Sequence, residues 1–535
     1  MSTELFEYVC NELVKLVGKK LDYISKRNSV EIISIDHKEE RILATREHGG
    51  DFSVTFERIR RVTEALSRGK LIDINEALAS GGNERSAIEA FFANLPHVGF
   101  YKGNSKYNKF PQKRIAWFEN ELHVSGEVFD ASNQPHTPPP PSRPITSALP
   151  KPFILLAGIS GTGKTRFVRQ QANASVVADI KNFELIAVRP DWHEPSDLLG
   201  YVSRIDGTRY VATPFLQFMA AAWRDAAERG AAYQLKAPSE MTPFWVCLDE
   251  MNLAPVEQYF ADYLSVLETR EWSEDGYRSE PIFAPAKLLK SSDADVLDQL
   301  RSDLGFADEE WIGLWAYFVE HGMPLPPNLI VAGTVNMDET THGFSRKVID
   351  RAFTIDFGEF FPNDYQHYFE PKRQPVTLGF PLDSRIASAE ELKDVAADPD
   401  GSQSIAFLQR INDVFKATPF ELAFRALNEL LVMLKCFSPQ TDAQLYAVWD
   451  DFLMAKLLPR LEGDEDKLQV NGDDSLLIQL KTRLATEFAS TAARPDLFNT
   501  QLVDGTSPDI PFRSLKKLGW MQDRLVRDRF TSFWP

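Results

Sequence analysis

"FILLAGISGTGKT", residues 153 to 165, joins five apolar residues to a glycine-rich turn that ends in Lys-Thr. The apolar run has the length and composition of a buried strand, and Thr165 to Ala172 reads as helix. Between them Gly158, Ile159, Ser160, Gly161, Thr162, Gly163, Lys164 and Thr165 satisfy the spacing G-x-x-x-x-G-K-[ST], in the strand–loop–helix context which that spacing requires. Glycines let backbone N–H groups close around a phosphate, and a helix N-terminus adds positive potential. Lys164 is then placed to bridge the β- and γ-phosphates, and Thr165 to hold Mg²⁺ through its hydroxyl. The expected ligand is a nucleoside triphosphate, ATP or GTP, with Mg²⁺. The plain alternative is a glycine-rich turn that ends in Lys-Thr by chance, and the flanking elements weigh against it.

Working outward, a second apolar run, Phe244 to Leu248, ends in Asp249-Glu250, and a third, Asn328 to Val335, ends in Asn336. Ligands of parallel sheets bind at the carboxyl ends of the strands. Asp249 is therefore expected to share the metal with Thr165, Glu250 to polarise the attacking water, and Asn336 to orient that water or sense the γ-phosphate. An apolar run followed by Asp-Glu is weak alone and strong when paired with the phosphate loop; for Asn336 the plain reading is a turn residue. Arg346 and Arg351 follow, read here as lying on one helix that points away from its own phosphate loop. One of them is expected to serve a neighbouring subunit's nucleotide, the alternative being surface arginines paired with Asp350 or Asp356.

At 535 residues and 60.6 kDa the chain predicts two to four domains. Hydrophobic content of 43% and charged content of 25% are those of a globular protein without a membrane span. The first residues, MSTELFEYVCNELVKLVGKKL, mix acids and bases at helical spacing and read as a folded helix, not a leader. Three scattered cysteines, Cys10, Cys247 and Cys436, offer neither a disulfide framework nor a metal cluster and fit a reducing cytoplasm. The chain carries a net charge of −18, yet residues 1 to 130 hold 19 Lys plus Arg against 20 Asp plus Glu, a net of −1. The excess acid lies beyond them. Residues 1–130 read as an α+β domain with strands at Val30–Ile35, Glu40–Thr45 and Phe52–Phe56, and helices at Phe56–Arg68 and Arg85–Leu95. The Pro-rich stretch 131–150 reads as a linker. Strand–loop–helix alternation over 151–365 predicts an α/β core, a parallel sheet flanked by helices. Residues 366–535 read as a mostly helical lid and C-terminal region.

The order of phosphate loop, Leu-Asp-Glu-Met-Asn-Leu (248–253) and Gly-Thr-Val-Asn (333–336), then Asp-Arg before an apolar strand, resembles the AAA+ P-loop NTPases of the dynein-related group. Residues 249–268, Val-Arg-Pro-Asp-Trp (188–192), Leu-Leu-Gly-Tyr (198–201) and Asp-Glu-Thr-Thr-His-Gly-Phe-Ser (338–345) look like the McrB group, motor subunits of modification-dependent restriction systems. The likeness extends more loosely through Leu-Leu-Pro-Arg-Leu-Glu-Gly (457–463) to Phe-Thr-Ser-Phe-Trp (530–534). It implies a ring, hexameric in that group, that drives a separate McrC-like nuclease subunit. It matches Asn336 to the first sensor and Arg351 to the arginine acting in trans. McrB-type rings use GTP, but the loop after Asn336 departs from that group, reading Met-Asp-Glu-Thr-Thr, so either nucleotide is carried forward. Arg460 stands for the second sensor without a clear match. A rival reading is a MoxR- or dynein-like remodeller of protein complexes with the N-terminal domain as protein adaptor.

Residues 99–117, GFYKGNSKYNKFPQKRIAW, interleave five cations with five aromatics and no acid. Tyr101, Lys102, Lys106, Lys109, Lys113 and Arg114 are the candidate DNA contacts, cations for phosphates and rings for bases, with Arg58, Arg60 and Arg61 as a further basic stripe. The bland reading is a solvated loop whose rings join a small core. Asp450-Asp451 and Asp473-Asp474 lack a nuclease context, so cleavage is assigned to another chain. Trp272 to Trp311 reads as a surface insertion, and Trp534 as an anchor of the lid.

Overall fold

The computed structural model describes the chain except residues 1, 24–28, 37, 48, 68–71, 73–76, 79–83, 104–111, 119–121, 131–146, 177–179, 206, 274–275, 286–293, 338–342, 470–474, 503–504 and 535. It divides into two compact units, Met1–Arg143 and Pro144–Pro535.

In the first unit, an antiparallel sheet of Lys20–Asp22, Ser29–Asp36, Arg41–Arg46 and Asp51–Thr55 joins the helices Ser2–Lys15, Phe56–Ser67 and Arg85–Ala93. Val30, Ile32, Ile42, Ala44 and Val54 fill its core. The stretch read as a cationic loop begins and ends as a hairpin, Val98–Gly103 against Gln112–Trp117, with Phe100 opposite Ile115 and both buried.

The second unit is built on five parallel strands, numbered here within this unit: β1 (Phe153–Gly158), β2 (Phe183–Ala187), β3 (Phe244–Asp249), β4 (Leu329–Asn336) and β5 (Phe353–Asp356), in the order β2-β3-β4-β1-β5. Every residue of β1 is buried, as continuous apolar strands covered on both faces require. Helix α1 (Lys164–Ser175) follows β1, and α2 (Pro214–Ala226) starts at Thr213, whose hydroxyl accepts from Leu216 N, with Pro214 in the first turn. Beyond the sheet lie α3 (Ser402–Phe415), α4 (Phe424–Phe437), α5 (Asp442–Phe452), α6 (Leu476–Glu487) and α7 (Arg513–Asp528). Helix α5 runs into a π-helical turn, Leu453–Leu457, and a short 3-10 turn, Leu458–Arg460.

Several expectations need correction. Ser147 and Ala148, at the end of the segment read as linker, pair in parallel with Leu378 and Gly379, and Leu149 is buried. The supposed surface insertion puts Tyr277, Phe283, Leu304, Phe306 and Trp311 into the core. Among the described residues between β4 and β5 only Arg346–Ile349 is helical, so Arg351 lies in the turn that feeds β5, not on a helix with Arg346. Trp534, in keeping with its reading as an anchor, packs against the core of this unit. Asp450 and Asp451 are fully buried and held by Arg494 and Arg513 at 2.5–2.9 Å. They are an internal ionic knot, while Asp473-Asp474 lies outside the described residues. Among the described residues no helix is long and apolar enough to cross a membrane. None of the three cysteines is in a disulfide, and burial pushes the Cys436 thiol up to about 12.

Candidate functional site

Three neighbouring strands end together. Asn336, the last residue of β4, is in register with Gly158, the last of β1, and Leu248 of β3 is in register with Gly333. Gly161 and Gly163 have φ of 79° and 90°, the left-handed region, and a Cβ on either would meet nothing within 4 Å. The requirement there is conformational, not spatial. The loop wraps Lys164, which is 5% exposed and whose Nζ donates to Gly158 O at 3.0 Å and Ile159 O at 2.8 Å. Burial lowers its pKa, opposed by the charges of Asp249 and Glu250. Thr162 Oγ1 also donates inward, to Ile159 O.

The carboxylate of Asp249 reaches this loop from β3. Thr165 Oγ1 donates to Asp249 Oδ1 at 2.7 Å, and Thr334 Oγ1 donates to the same oxygen at 2.8 Å. A hydroxyl and a carboxylate converging at one point are hard oxygen donors, the set that suits Mg²⁺ alongside phosphate oxygens. Glu250 sits in a left-handed backbone conformation (φ 52°), with its N–H on Thr334 Oγ1 at 2.9 Å. Asn336 Nδ2 donates to Glu250 Oε1 at 3.0 Å, and Asn252 Nδ2 donates to Asn336 O at 3.1 Å. The five predicted side chains Lys164, Thr165, Asp249, Glu250 and Asn336 are thus assembled in one place. Thr334 and Asn252 were not anticipated. Thr334 lies two residues before Asn336, on the same side of a strand, and that alternation was a usable signal.

The arginines are elsewhere. Arg346 donates to Pro419 O at 3.1 Å and lies over the Phe420 ring, linking the sheet unit to the loop before α4. Arg351 Nε is 3.4 Å from Glu268 Oε1, and Arg425 of α4 takes the other oxygen of Glu268. The aspartates once weighed as partners are engaged by others, Asp350 by Arg460 and Asp356 by Lys517. Arg351, Glu268 and Arg425 line a cavity of about 520 Å³ together with Lys151, Glu429 and Lys456.

Much of that cavity's far wall comes from residues 424–456. Residues 383–530 match DUF8727, a domain of unknown function. No curated protein matches the chain. The DUF8727 segment contributes Arg425, Glu429 and Lys456 to the cavity, while Arg460 pairs with Asp350.

Of the proposed DNA contacts, Arg114 is exposed, Tyr101 is half-buried with its phenol pKa raised by burial, and the two face each other across the hairpin. Lys106 and Lys109 lie outside the described residues, as do the side chains of Lys102 and Lys113. In the basic stripe, Arg58 pairs with Glu84 and Arg61 with Glu57, while Arg60 lies over the Phe6 ring.

Proposed function

We propose that this chain is a ring-forming NTPase of the AAA+ type, the McrB-like motor of a DNA restriction or defence system, which hydrolyses ATP or GTP and drives a separate McrC-like nuclease subunit. The observation that carries the reading is the meeting of Thr165, Asp249, Thr334, Glu250 and Asn336 at the tips of three adjacent parallel strands. Lys164 and the loop N–H groups would hold the β- and γ-phosphates. Thr165 and Asp249 would hold Mg²⁺, which when bound offsets phosphate charge. Glu250 accepts a proton from water as the water oxygen bonds to the γ-phosphorus and the bond to the β,γ-bridging oxygen breaks. The products are the nucleoside diphosphate and inorganic phosphate. Asn336 fixes the Glu250 carboxylate and hence the line of attack.

Arg351 supports a site shared between subunits, because its guanidinium lies beside Glu268 in a cavity whose lining includes none of residues 158–165. In the ring, Arg351 of one subunit would meet the neighbour's γ-phosphate, a contribution of roughly 10³–10⁵ in rate when an arginine is supplied this way. The rival reading, an ATP-driven protein remodeller with the N-terminal unit as adaptor, gains from the burial of Phe100, which makes one of the five rings a core residue and not a stacking platform.

Glu250→Gln is expected to keep nucleotide binding while lowering turnover by roughly 10²–10⁴-fold, the usual worth of a general base. Phosphate release with ATP and with GTP, with and without methylated duplex DNA, checks it. Wild-type turnover in that variant would remove Glu250 from its role, and indifference to DNA would favour the remodeller.

A further inference from the structure

Arg351 is held by its main chain more firmly than by its side chain. Lys456 Nζ donates to Asp350 O at 2.9 Å and to Ala352 O at 2.7 Å, the carbonyls on either side of the arginine. Lys151 Nζ donates to Asp350 O as well, at 2.8 Å. Glu429 of α4 pairs with both ammonium groups, at 2.9 Å from Lys456 Nζ. The guanidinium itself is only 3.4 Å from Glu268 and keeps a quarter of its surface open.

Lys456 is a costly way to fasten a turn. Its side chain is 6% exposed, and two lysines against one glutamate leave a surplus positive charge indoors. Its three N–H donors are all committed, one to Glu429 and two to the carbonyls. It stands on the π-helical turn Leu453–Leu457, an irregularity that often marks functional positions. A hydrophobic residue would fill the space at lower cost, yet only a multiple donor can grip the backbone on both sides of residue 351.

We propose that Lys456 is a positioning residue for Arg351: it makes the turn that carries the arginine part of the helical region, so that movement of α4 and the π-turn sets where the arginine meets the neighbouring subunit's nucleotide. The inference rests on the shared-site reading above. Lys456 touches no substrate and is not itself catalytic.

Subunit mixing tests it. Lys456→Met should lower turnover about 10- to 100-fold, as misplacing a catalytic group by about 1 Å does, with KM changed less than about threefold because its own phosphate loop is intact. Mixed one to one with Lys164→Ala chains, it should regain turnover at the interfaces where its site meets a sound Arg351, about a quarter of them in a randomly mixed head-to-tail ring. Mixed with Arg351→Ala chains, it should regain none, since both are defective donors. Lys456→Arg should recover part of the loss alone. Recovery with Arg351→Ala but not with Lys164→Ala would mean that Lys456 serves its own nucleotide, and recovery with neither would make it a structural pin; either outcome overturns the proposal. Arg351→Ala mixed with Lys164→Ala is the control: if that pair stays inactive, the shared site falls and this inference with it. Should the methionine chain fail to bind nucleotide, Lys456→Gln replaces it in the same mixtures.

Discussion

Burial lowers the pKa of the Lys456 ammonium from its exposed value of 10.5; Glu429 opposes the shift and Lys151 reinforces it. Between the lowered folded value and 10.5 the unfolded chain binds more protons than the folded one, so stability rises with pH across that window. Urea midpoints taken at pH 7 and pH 9 should therefore rise more for the wild type than for Lys456→Met, and equal slopes would mean that the lysine is protonated normally. At this scale the meeting of five side chains was legible because each stands at a fixed offset from an apolar run: Lys164 and Thr165 after β1, Asp249 and Glu250 after β3, Asn336 after β4. Lys456, Glu429 and Glu268 were not, because their roles come from meetings between distant stretches of the chain that no local pattern records. The pairing of Lys151 with Glu429 spans 278 positions.

Among the elements, β4 shows how a strand is fitted to the turn beside it. A Cβ on Gly333 would stand 2.5 Å from Met251 Sδ and 3.5 Å from Leu155 Cδ1. Met251 is fully buried directly after Glu250, so the absence of a side chain at 333 leaves room for the turn that carries the carboxylate. Gly333→Ala is expected to destabilise the second unit by about 1–3 kcal/mol, as overpacking does, and to lower turnover by displacing Glu250. Thermal melts and phosphate release measure the two effects, and unchanged values in both would show that Met251 moves aside freely. Strands β1, β3 and β4 were readable as unbroken apolar runs. The hairpin Val98–Gly103 with Gln112–Trp117 was not, because two glycines and three cations depress the strand signal, and the cross-strand pair of Phe100 and Ile115 supplies what the sequence pattern lacks. The helix expected to carry both arginines stops at Ile349, one turn long, and the hold of Lys456 on the next turn accounts for Arg351 being fixed without it.

The described residues form two separate hydrophobic cores, one in each unit. Residues 144–535 expressed alone should fold and hydrolyse nucleotide within about twofold of the full chain without DNA, since domains with their own core generally fold as units. Any stimulation by duplex DNA should vanish with residues 1–143, and in the full chain it should fall steeply with salt. Stimulation that survives the deletion would move DNA binding to the second unit. The boundary between the units falls inside the proline-rich stretch 131–150, and the first 130 residues are near-neutral against −18 overall. The role of the last third was not visible beyond its helices, since its contribution to the Arg351 side depends on packing.

One small ladder ties the end of the proline-rich stretch to the root of the helical region. Ser147 and Ala148 run alongside Leu378 and Gly379 in the same direction, and Leu378 N also bonds Gln171 of α1. A pull applied to the backbone at Ser147 would load two rungs in shear at the root of the helical region, and Gln171 would pass part of that load to α1.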